Sequence, residues 1–150
     1  MPHNIPPVDP ASVAAWTKRC YLAGRAAMEA MLRPHDLGAA QWYVLHHLVR
    51  CGPTPQRDLV AALEVERATL SGIVAALVRK GLVEQVPDRH DQRQKLVRTT
   101  EAGRRLWDEL PDLAAIHTVA FGGMDPAALT AAVEVLRAAT ERLEPLTGRS

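Results

Sequence analysis

The sequence has few of the residues on which several common classes of protein depend. It contains two cysteines, Cys20 and Cys51, too few for a disulfide framework or a zinc-type cysteine cluster. Aromatic residues make up only 4% of the chain, and their scarcity beside abundant alanine and leucine disfavours a protein built mainly of strands. No apolar run approaches the roughly 20 residues of a membrane-spanning helix. The proline-rich start, MPHNIPPVDP, has no apolar centre and is not expected to be a secretory signal. We therefore expect a cytoplasmic, mainly helical protein.

Sequence motifs of the main enzyme classes are missing as well. There is no GxSxG elbow, no Walker-type glycine loop and no Cys/His arrangement with a local nucleophile signature. The carboxylates of Asp108, Glu109 and Asp112 fall on a predicted helix and are interpreted as solvated surface. We predict that the protein is not an enzyme and holds no cofactor.

Positive charge, in contrast, is concentrated in one short segment. The formal net charge is only +1, but residues 79–105 contain eight basic and four acidic side chains, whereas the chain from residue 106 onward contains three basic and seven acidic ones. Such a segment is typical of an element that contacts phosphate, and it is also compatible with a solvated charged loop. Charge alone leaves both interpretations open.

Helix signals dominate the first third of the chain. Asp9-Pro10 places a capping residue before a first-turn proline, and the pattern predicts a helix that ends before Arg33-Pro34, because the residue before proline avoids helical geometry. A second helix is predicted within LGAAQWYVLHHLVRCG, residues 37–52. The apolar stripe of the first helix is Val13, Trp16, Cys20, Ala23, Ala27 and Met31.

The middle of the chain predicts a helix-turn-helix. Thr54-Pro55 is expected to open a short helix, TPQRDLVAAL, which a turn at Glu64-Val65 separates from the helix ERATLSGIVAALVRKG. Gly81 is expected to terminate the second helix. Two helices joined by a turn of a few residues form this motif. The apolar residues of the second helix have i, i+3, i+4, i+7 spacing: Leu70, Ile73, Val74 and Leu77.

A hairpin and further helices are predicted after the helix-turn-helix. LVEQV and QKLVRT are short β-prone runs on either side of the polar PDRHDQR, the pattern of a β-hairpin, or wing. Thr99 or Thr100 is expected to cap a helix that is bent near Pro111 and continues to Phe121. A final helix follows, and its near-heptad seam is suited to a partner helix. The seam residues are Leu129, Val133, Leu136, Thr140 and Leu143.

This order of elements and three stretches of sequence resemble the MarR family of winged-helix transcription regulators. The stretches are LGAAQWYVLHHL, RDLVAALEVERATLSGIVAALVRKGLVEQ and DRHDQRQKLVRTTEAG, within a resemblance that covers residues 10–145. Two positions depart from it: Gln92 and Gly72 stand where many members of the family have arginine. Both departures remove a potential contact with DNA.

The resemblance implies a fold and a function. The implied fold is mainly α with a small β-hairpin (α+β): an extended start over residues 1–9, a winged helix-turn-helix domain over 36–100, and a helical dimerisation region from 10–35 and 101–147. The implied function is a homodimeric, sequence-specific DNA-binding regulator of transcription, a repressor on a pseudo-palindromic operator. An alternative use of the same fold is a protein-interaction module with the alanine-rich helix as its contact surface.

A helical wheel identifies the predicted base-reading face of the recognition helix. Opposite the apolar stripe lie Ala68, Gly72, Ala75 and Arg79, with Thr69, Ser71 and Ala76 beside them. Small side chains allow close approach to the major groove. We therefore expect base readout to depend on Arg67, Thr69 and Ser71, aided by the sequence-dependent shape of the groove.

The wing supplies the remaining predicted DNA contacts. The resemblance implies that Arg93 enters the minor groove, and we expect Asp91 to orient it or to brace the loop by an ion pair. Arg89, Lys95 and Arg98 are predicted phosphate contacts. The cluster Asp88, His90 and Asp91 also permits a metal-responsive loop, although side chains so close together in a turn seldom converge on one ion; no metal site is predicted.

Two regulatory inputs follow from the resemblance. Members of the family bind small aromatic acids between the dimerisation helices and the winged helix, and the groups expected near such a cleft are Trp16, Arg19, Tyr43, His46 and Trp107. Some members sense oxidants through a cysteine in the first helix, which makes Cys20 a second candidate. Cys20 also falls on the apolar stripe, where a cysteine is usually inert packing.

Overall fold

A computed structural model describes residues 7–148, and its first element is helix α1, Pro10–Leu32. The predicted start is confirmed, because the carboxylate of Asp9 accepts a hydrogen bond of 2.9 Å from the backbone N–H of Ala11. A 3-10 turn, Arg33–His35, follows and ends at Asp36, whose φ of 52° is left-handed. Residues 1–6 of the predicted extended start lie outside the described residues, and residues 7–9 are not helical.

Three helices form the predicted helix-turn-helix and its support. They are α2, Ala39–Cys51; α3, Gln56–Leu63; and α4, Arg67–Arg79. Glu64 makes the turn between α3 and α4 with a left-handed φ of 52°, and Gly81 follows α4 with a φ of 72°. Their apolar stripes meet in one core, whose largest fully buried side chains are Leu32, Val44, Leu45, Leu59, Leu70, Val74, Leu77, Val83 and Val97.

A three-stranded antiparallel sheet contains the predicted hairpin. Its strands are β1, Thr54–Pro55; β2, Val83–Pro87; and β3, Lys95–Thr99, in the order β1-β3-β2. The wing is formed by β2 and β3, whose register pairs Val83 with Thr99 and Pro87 with Lys95. The chain is therefore mainly helical with a small β-sheet, the winged helix-turn-helix fold that the sequence predicted.

The role predicted for Thr54-Pro55 is wrong. Thr54 does not cap α3: both residues pair with β3, with Thr54 opposite Val97, and Pro55, expected in the first turn, occupies the N-cap position. The Thr54 side chain is buried, and its hydroxyl donates to the carbonyl of Gly52 at 2.9 Å instead of accepting from a helix N–H. Thr-Pro is compatible with a helix start and with an edge strand, and the register with β3 decides between them.

The predicted single helix up to Phe121 is also wrong, because two helices occupy this segment. Helix α5 spans Glu101–Glu109, and its capping residue is Thr100, whose hydroxyl accepts from the backbone N–H of Gly103 at 3.0 Å. Leu110 then turns extended, with φ −68° and ψ 146°, as expected of a residue before proline. The proline therefore ends the helix instead of bending it.

A second compact unit begins at Leu113, and the first ends at Asp112. The second unit contains α6, Ala114–Phe121, and α7, Pro126–Leu143, followed by a 3-10 turn, Glu144–Thr147. Most of the predicted α7 seam is exposed, with Val133 at 56% and Leu143 at 58%. Within residues 7–148 no single helix has both the length and the apolar character to span a membrane; one bent pair, Glu101–Phe121 with Pro126–Thr147, passes by length and composition only.

The apolar stripe predicted on α1 is likewise exposed in the single chain. Trp16 is 65% exposed, and Val13 and Cys20 are also exposed, whereas α1 buries only Met28 and Leu32 near its C-terminal end. The position of Cys20 on the apolar stripe suggested inert packing. In the single chain, however, Cys20 is exposed and does not pack in the core.

Candidate nucleic-acid interface

Helix α4 presents the small-residue face that the sequence predicted. Leu70, Val74 and Leu77 are fully buried, which turns the opposite side of the helix to solvent. All seven residues of this helix that are predicted to face DNA are exposed, and no described helix or strand covers them. They are Arg67, Ala68, Thr69, Ser71, Gly72, Ala75 and Arg79.

The wing loop between β2 and β3 is a compact turn. The N–H of Asp88 donates to the carbonyl of Gln94 at 3.2 Å, and the N–H of Gln94 donates to the carbonyl of Asp91 at 3.0 Å. The Asp91 carboxylate accepts from the backbone N–H of Arg93 at 3.0 Å and from the Gln94 amide at 3.2 Å. Asp91 thus braces the loop through hydrogen bonds, where the sequence suggested an ion pair with Arg93.

The bracing of the loop leaves its arginines available. The Asp88 carboxylate accepts from the N–H of His90 at 3.0 Å, so both wing aspartates act on the backbone. Arg89, Arg93 and the side chain of His90 are exposed. Among the described residues, no group of three or more His, Cys, Asp or Glu side chains could hold a metal ion.

Half of the basic side chains in segment 79–105 have neither a carboxylate partner nor a hydrogen-bond acceptor within residues 7–148. These four are Arg79, Arg89, Arg93 and Lys95. Arg98 differs from them, because its Nε lies 2.7 Å from Glu84, its cross-strand neighbour. A phosphate contact by Arg98 would therefore compete with an existing ion pair, whereas the other four side chains can meet an anionic partner without such competition.

Lys80 anchors the C-terminal end of α4 to the corner between α1 and α2. Its Nζ donates to the backbone carbonyl of Asp36 and, at 2.9 Å, to the side-chain oxygen of Gln41. The same Gln41 oxygen accepts from the N–H of Gly38 at 3.1 Å, before the first turn of α2. From the sequence, Lys80 was only one member of the basic segment; the left-handed Asp36 that completes the corner could not be identified from composition.

A cluster of rings lies where α2 meets α5. Trp42 stacks on His46 with ring centroids 4.7 Å apart, and Trp107 of α5 lies 5.5 Å from Trp42 and 5.8 Å from His46. Tyr43 meets Trp42 edge-on at 5.2 Å. The structure thus brings together three of the five predicted ligand residues around Trp42. That residue was not predicted, although its i, i+4 spacing from His46 places both on one face of α2.

The other two predicted ligand residues form a separate pair. The guanidinium carbon of Arg19 lies 5.0 Å from the ring centroid of Trp16, one turn earlier on α1. Both side chains are exposed. This pair is a local cation–π contact on the surface of α1.

His46 is the titratable group of the ring cluster. Burial lowers the pKa of His46 below its ordinary value of 6.5, and electrostatic interactions with Arg50 and His47 add to the effect. The neutral imidazole is therefore the form favoured beside the two tryptophans.

This depressed pKa predicts a pH dependence of stability. Because the unfolded state binds the proton more readily, the contribution of His46 is fully present above pH 6.5 and is lost as the pH falls through the lowered folded-state pKa. Between about pH 7.5 and pH 5.5 the melting temperature of the wild type should fall more than that of His46→Gln. His90→Gln, a change in the exposed wing, is the control and should follow the wild type; equal pH profiles for all three proteins would contradict the prediction.

A model of the MarR family matches residues 35–94, the helix-turn-helix and most of the wing. The chain is 30% identical over 121 residues to the transcriptional repressor NicR of Pseudomonas putida, a match that covers 80% of this chain and 77% of NicR.

Solved structures show the same likeness over a larger share of the chain. BpsR of Bordetella bronchiseptica, whose DNA binding is regulated by 6-hydroxynicotinic acid, is 32% identical with a TM-score of 0.73, covering 86% of this chain and 98% of BpsR. A variant of MarR from E. coli, complexed with operator DNA, has a TM-score of 0.77 at 22% identity, covering 85% of this chain and 93% of that one. The second likeness concerns the fold alone.

Proposed function

The chain belongs to the MarR family of DNA-binding transcriptional regulators, and from this premise we propose that it is a homodimeric repressor that binds a pseudo-palindromic operator and releases it on binding a small aromatic acid. The observation that carries the DNA-binding part is the presence of two exposed surfaces in one compact unit. These surfaces are the small-residue face of α4 and the braced wing with its unpaired arginines. In a bacterial cell this activity belongs to the cytoplasm.

The proposed contacts follow the shape of B-DNA. Residues 36–100 act as the DNA-binding domain, with the α4 face in the major groove and Arg93 in the flanking minor groove. Arg67, Thr69 and Ser71 read bases near the start of α4. Ala68, Gly72 and Ala75 allow close approach, while Arg79, Arg89, Lys95 and Arg98 contact phosphates.

The exposed apolar faces of α1 and α7 support the dimer. Trp16 on α1 and Val133, Leu136 and Leu143 on α7 are large apolar side chains exposed in the single chain, and exposed apolar patches of this kind mark surfaces that a partner covers. We propose that a second copy covers them, so that segments 10–35 and 101–147 form the dimerisation region. Two recognition helices would then meet half-sites about one helical turn, roughly 34 Å, apart.

The ring cluster supports the proposed effector. Trp42, His46 and Trp107 offer flat faces on which an aromatic acid can stack, and Arg50, one helical turn after His46 on α2, is a candidate to pair with its carboxylate. The regulation of BpsR by 6-hydroxynicotinic acid and the similarity to the repressor NicR favour a pyridine carboxylate and an outcome of repression. Trp16, Arg19 and Tyr43 remain proposed contributors to this cleft.

The proposal is tested with the purified 150-residue chain in three measurements. Selection from a random duplex library should enrich an inverted repeat, sizing at micromolar concentration should give a dimer, and 6-hydroxynicotinic acid should release the selected DNA where cyclohexane carboxylate does not. A monomer that enriches no motif would favour the protein-interaction module. Release by peroxide, abolished by Cys20→Ser, would favour a redox-responsive regulator.

A further inference from the structure

Three polar side chains form a directed chain of hydrogen bonds that ends on the recognition helix. The amide N–H of Gln85 in β2 donates to the side-chain oxygen of Gln56 at 2.7 Å. The amide N–H of Gln56, the first residue of α3, donates in turn to the hydroxyl oxygen of Ser71 in α4 at 3.2 Å. The three residues lie in three different elements, so the chain exists only in the folded domain.

The register of the sheet explains why Gln85 can donate to Gln56. Gln85 pairs with Val97 of β3, which is fully buried, so both side chains leave the sheet on the face that packs against the helices. Thr54 of β1 pairs with the same Val97 from the other side, and Gln56 follows Thr54 by two residues. The register of the sheet thus brings the two amides together although 29 positions separate them.

The direction of the two hydrogen bonds determines whether the Ser71 hydroxyl can donate or accept toward a ligand. A serine hydroxyl has one hydrogen to donate and two lone pairs with which to accept. Since the Ser71 oxygen accepts from Gln56, its own hydrogen is left to donate, and within residues 7–148 no acceptor takes it. Ser71 lies among the small residues of the exposed α4 face, so this hydrogen is available to a ligand in the groove.

We propose that the Gln85–Gln56–Ser71 chain is a specificity device, in which the two amides fix Ser71 as a hydrogen-bond donor toward one base of the operator. In the major groove guanine offers N7 and O6, adenine N7 and thymine O4 as acceptors, whereas cytosine offers the N4 amino donor. Ser71 therefore disfavours cytosine at the base it faces. This inference rests on the proposed DNA-binding function and adds two residues, Gln56 and Gln85, that act through Ser71 as positioning residues.

A variant that reverses the direction of these hydrogen bonds provides the sharpest test. In Gln85→Glu the introduced carboxylate can only accept, so the Gln56 amide turns its N–H groups toward that carboxylate and its oxygen toward Ser71, which then donates to Gln56. The Ser71 oxygen then offers only lone pairs to the groove. Cytosine, whose N4 amino group donates a hydrogen bond, should therefore become the favoured base at that position. Gln92→Glu adds the same negative charge in the wing without contact to Ser71 and is the matched control.

Affinities are measured for the operator selected by the wild type and for every single-base variant of one half-site. At one position the wild type should discriminate against cytosine by about fivefold to tenfold, as expected for one neutral hydrogen bond. Ser71→Ala and Gln56→Leu should remove that discrimination, and Gln85→Glu should reverse it. Gln92→Glu should weaken all variants equally and keep the pattern.

The outcomes separate this inference from the proposed function. If the wild type selects no motif, the proposed function itself fails. If it selects one and Ser71→Ala discriminates at every position as the wild type does, the role of Ser71 is wrong. If Ser71→Ala loses discrimination at one position while Gln85→Glu keeps the wild-type preference there, the chain does not set the polarity of Ser71. Melting curves that match the wild type establish that each variant is folded.

Discussion

Replacement of Arg93 by alanine is expected to weaken operator binding by about 1 to 3 kcal/mol for each wing, which is at least about thirtyfold for a dimer in which both wings are changed. The side chain is exposed at the end of a braced loop and has no carboxylate partner among the described residues. Its entry into DNA would therefore break no ion pair with a residue of segment 7–148. A narrow A·T minor groove concentrates negative potential and attracts such an arginine.

The effect should depend on sequence and on salt. Titrations at several salt concentrations should give a slope of log affinity against log salt that is smaller by about one for each arginine–DNA charge interaction that the substitution removes. Arg93→Ala should also bind operators with A·T-rich and G·C-rich flanks with nearly equal affinity, unlike the wild type. Gln92→Ala, a neutral change at the neighbouring exposed position, is the control and should bind as the wild type does. Unchanged affinity of Arg93→Ala on both operators would refute the minor-groove role of the wing.

The bracing of the loop gives a reason for this large effect. The Asp91 carboxylate holds the backbone N–H of Arg93, and the Gln94 amide holds the carboxylate in place. Arg93 therefore starts from a fixed backbone, and less conformational entropy is lost when it enters a groove. We expect this arrangement to offset part of the affinity lost because Gln92 stands where many members of the family have a second arginine.

Local chemistry made much of the fold predictable from sequence. A cap such as Asp9, a C-terminal glycine such as Gly81 and the spacing of Leu70, Val74 and Leu77 each act within a few residues. The structure confirms the helix start, the helix end and the buried stripe at these positions. Interactions between residues only a few positions apart can be predicted directly from the sequence.

The structure departs from the sequence-based predictions mainly where contacts with distant segments decide the local conformation. Thr54-Pro55 has the residues of a helix start, but pairing with the distant Val97 makes it a strand. Leu110 shows a local error, because the proline after it was expected to bend a helix and in fact ends one. Gln56 and Gln85 have no local pattern at all, and only the register of the sheet connects them to the proposed recognition helix α4.

Gly103→Ala is expected to have the largest effect on stability, a loss of about 3 kcal/mol or more. A Cβ atom at Gly103 would overlap the carbonyl oxygen of Leu82 and lie 3.1 Å from its carbonyl carbon. That carbonyl cannot move aside freely, since it accepts the N–H of Thr100 at 3.0 Å, and Thr100 in turn caps α5 through the N–H of Gly103. One methyl group would thus disturb two hydrogen bonds at the junction of the wing and α5. These are the bond from the Thr100 N–H to the Leu82 carbonyl and the bond that caps α5.

Gly72→Ala is the matched control within the same chain. A Cβ at Gly72 meets nothing within 4 Å, and the residue lies inside α4 without a left-handed φ, so alanine should stabilise the helix by about 0.5 to 1 kcal/mol. In thermal melts of a chain this size, Gly103→Ala should lower the melting temperature by roughly 10 °C, while Gly72→Ala should raise it slightly. If Gly103→Ala has the same melting temperature as the wild type, the close approach of α5 to Leu82 is not a feature of the folded protein.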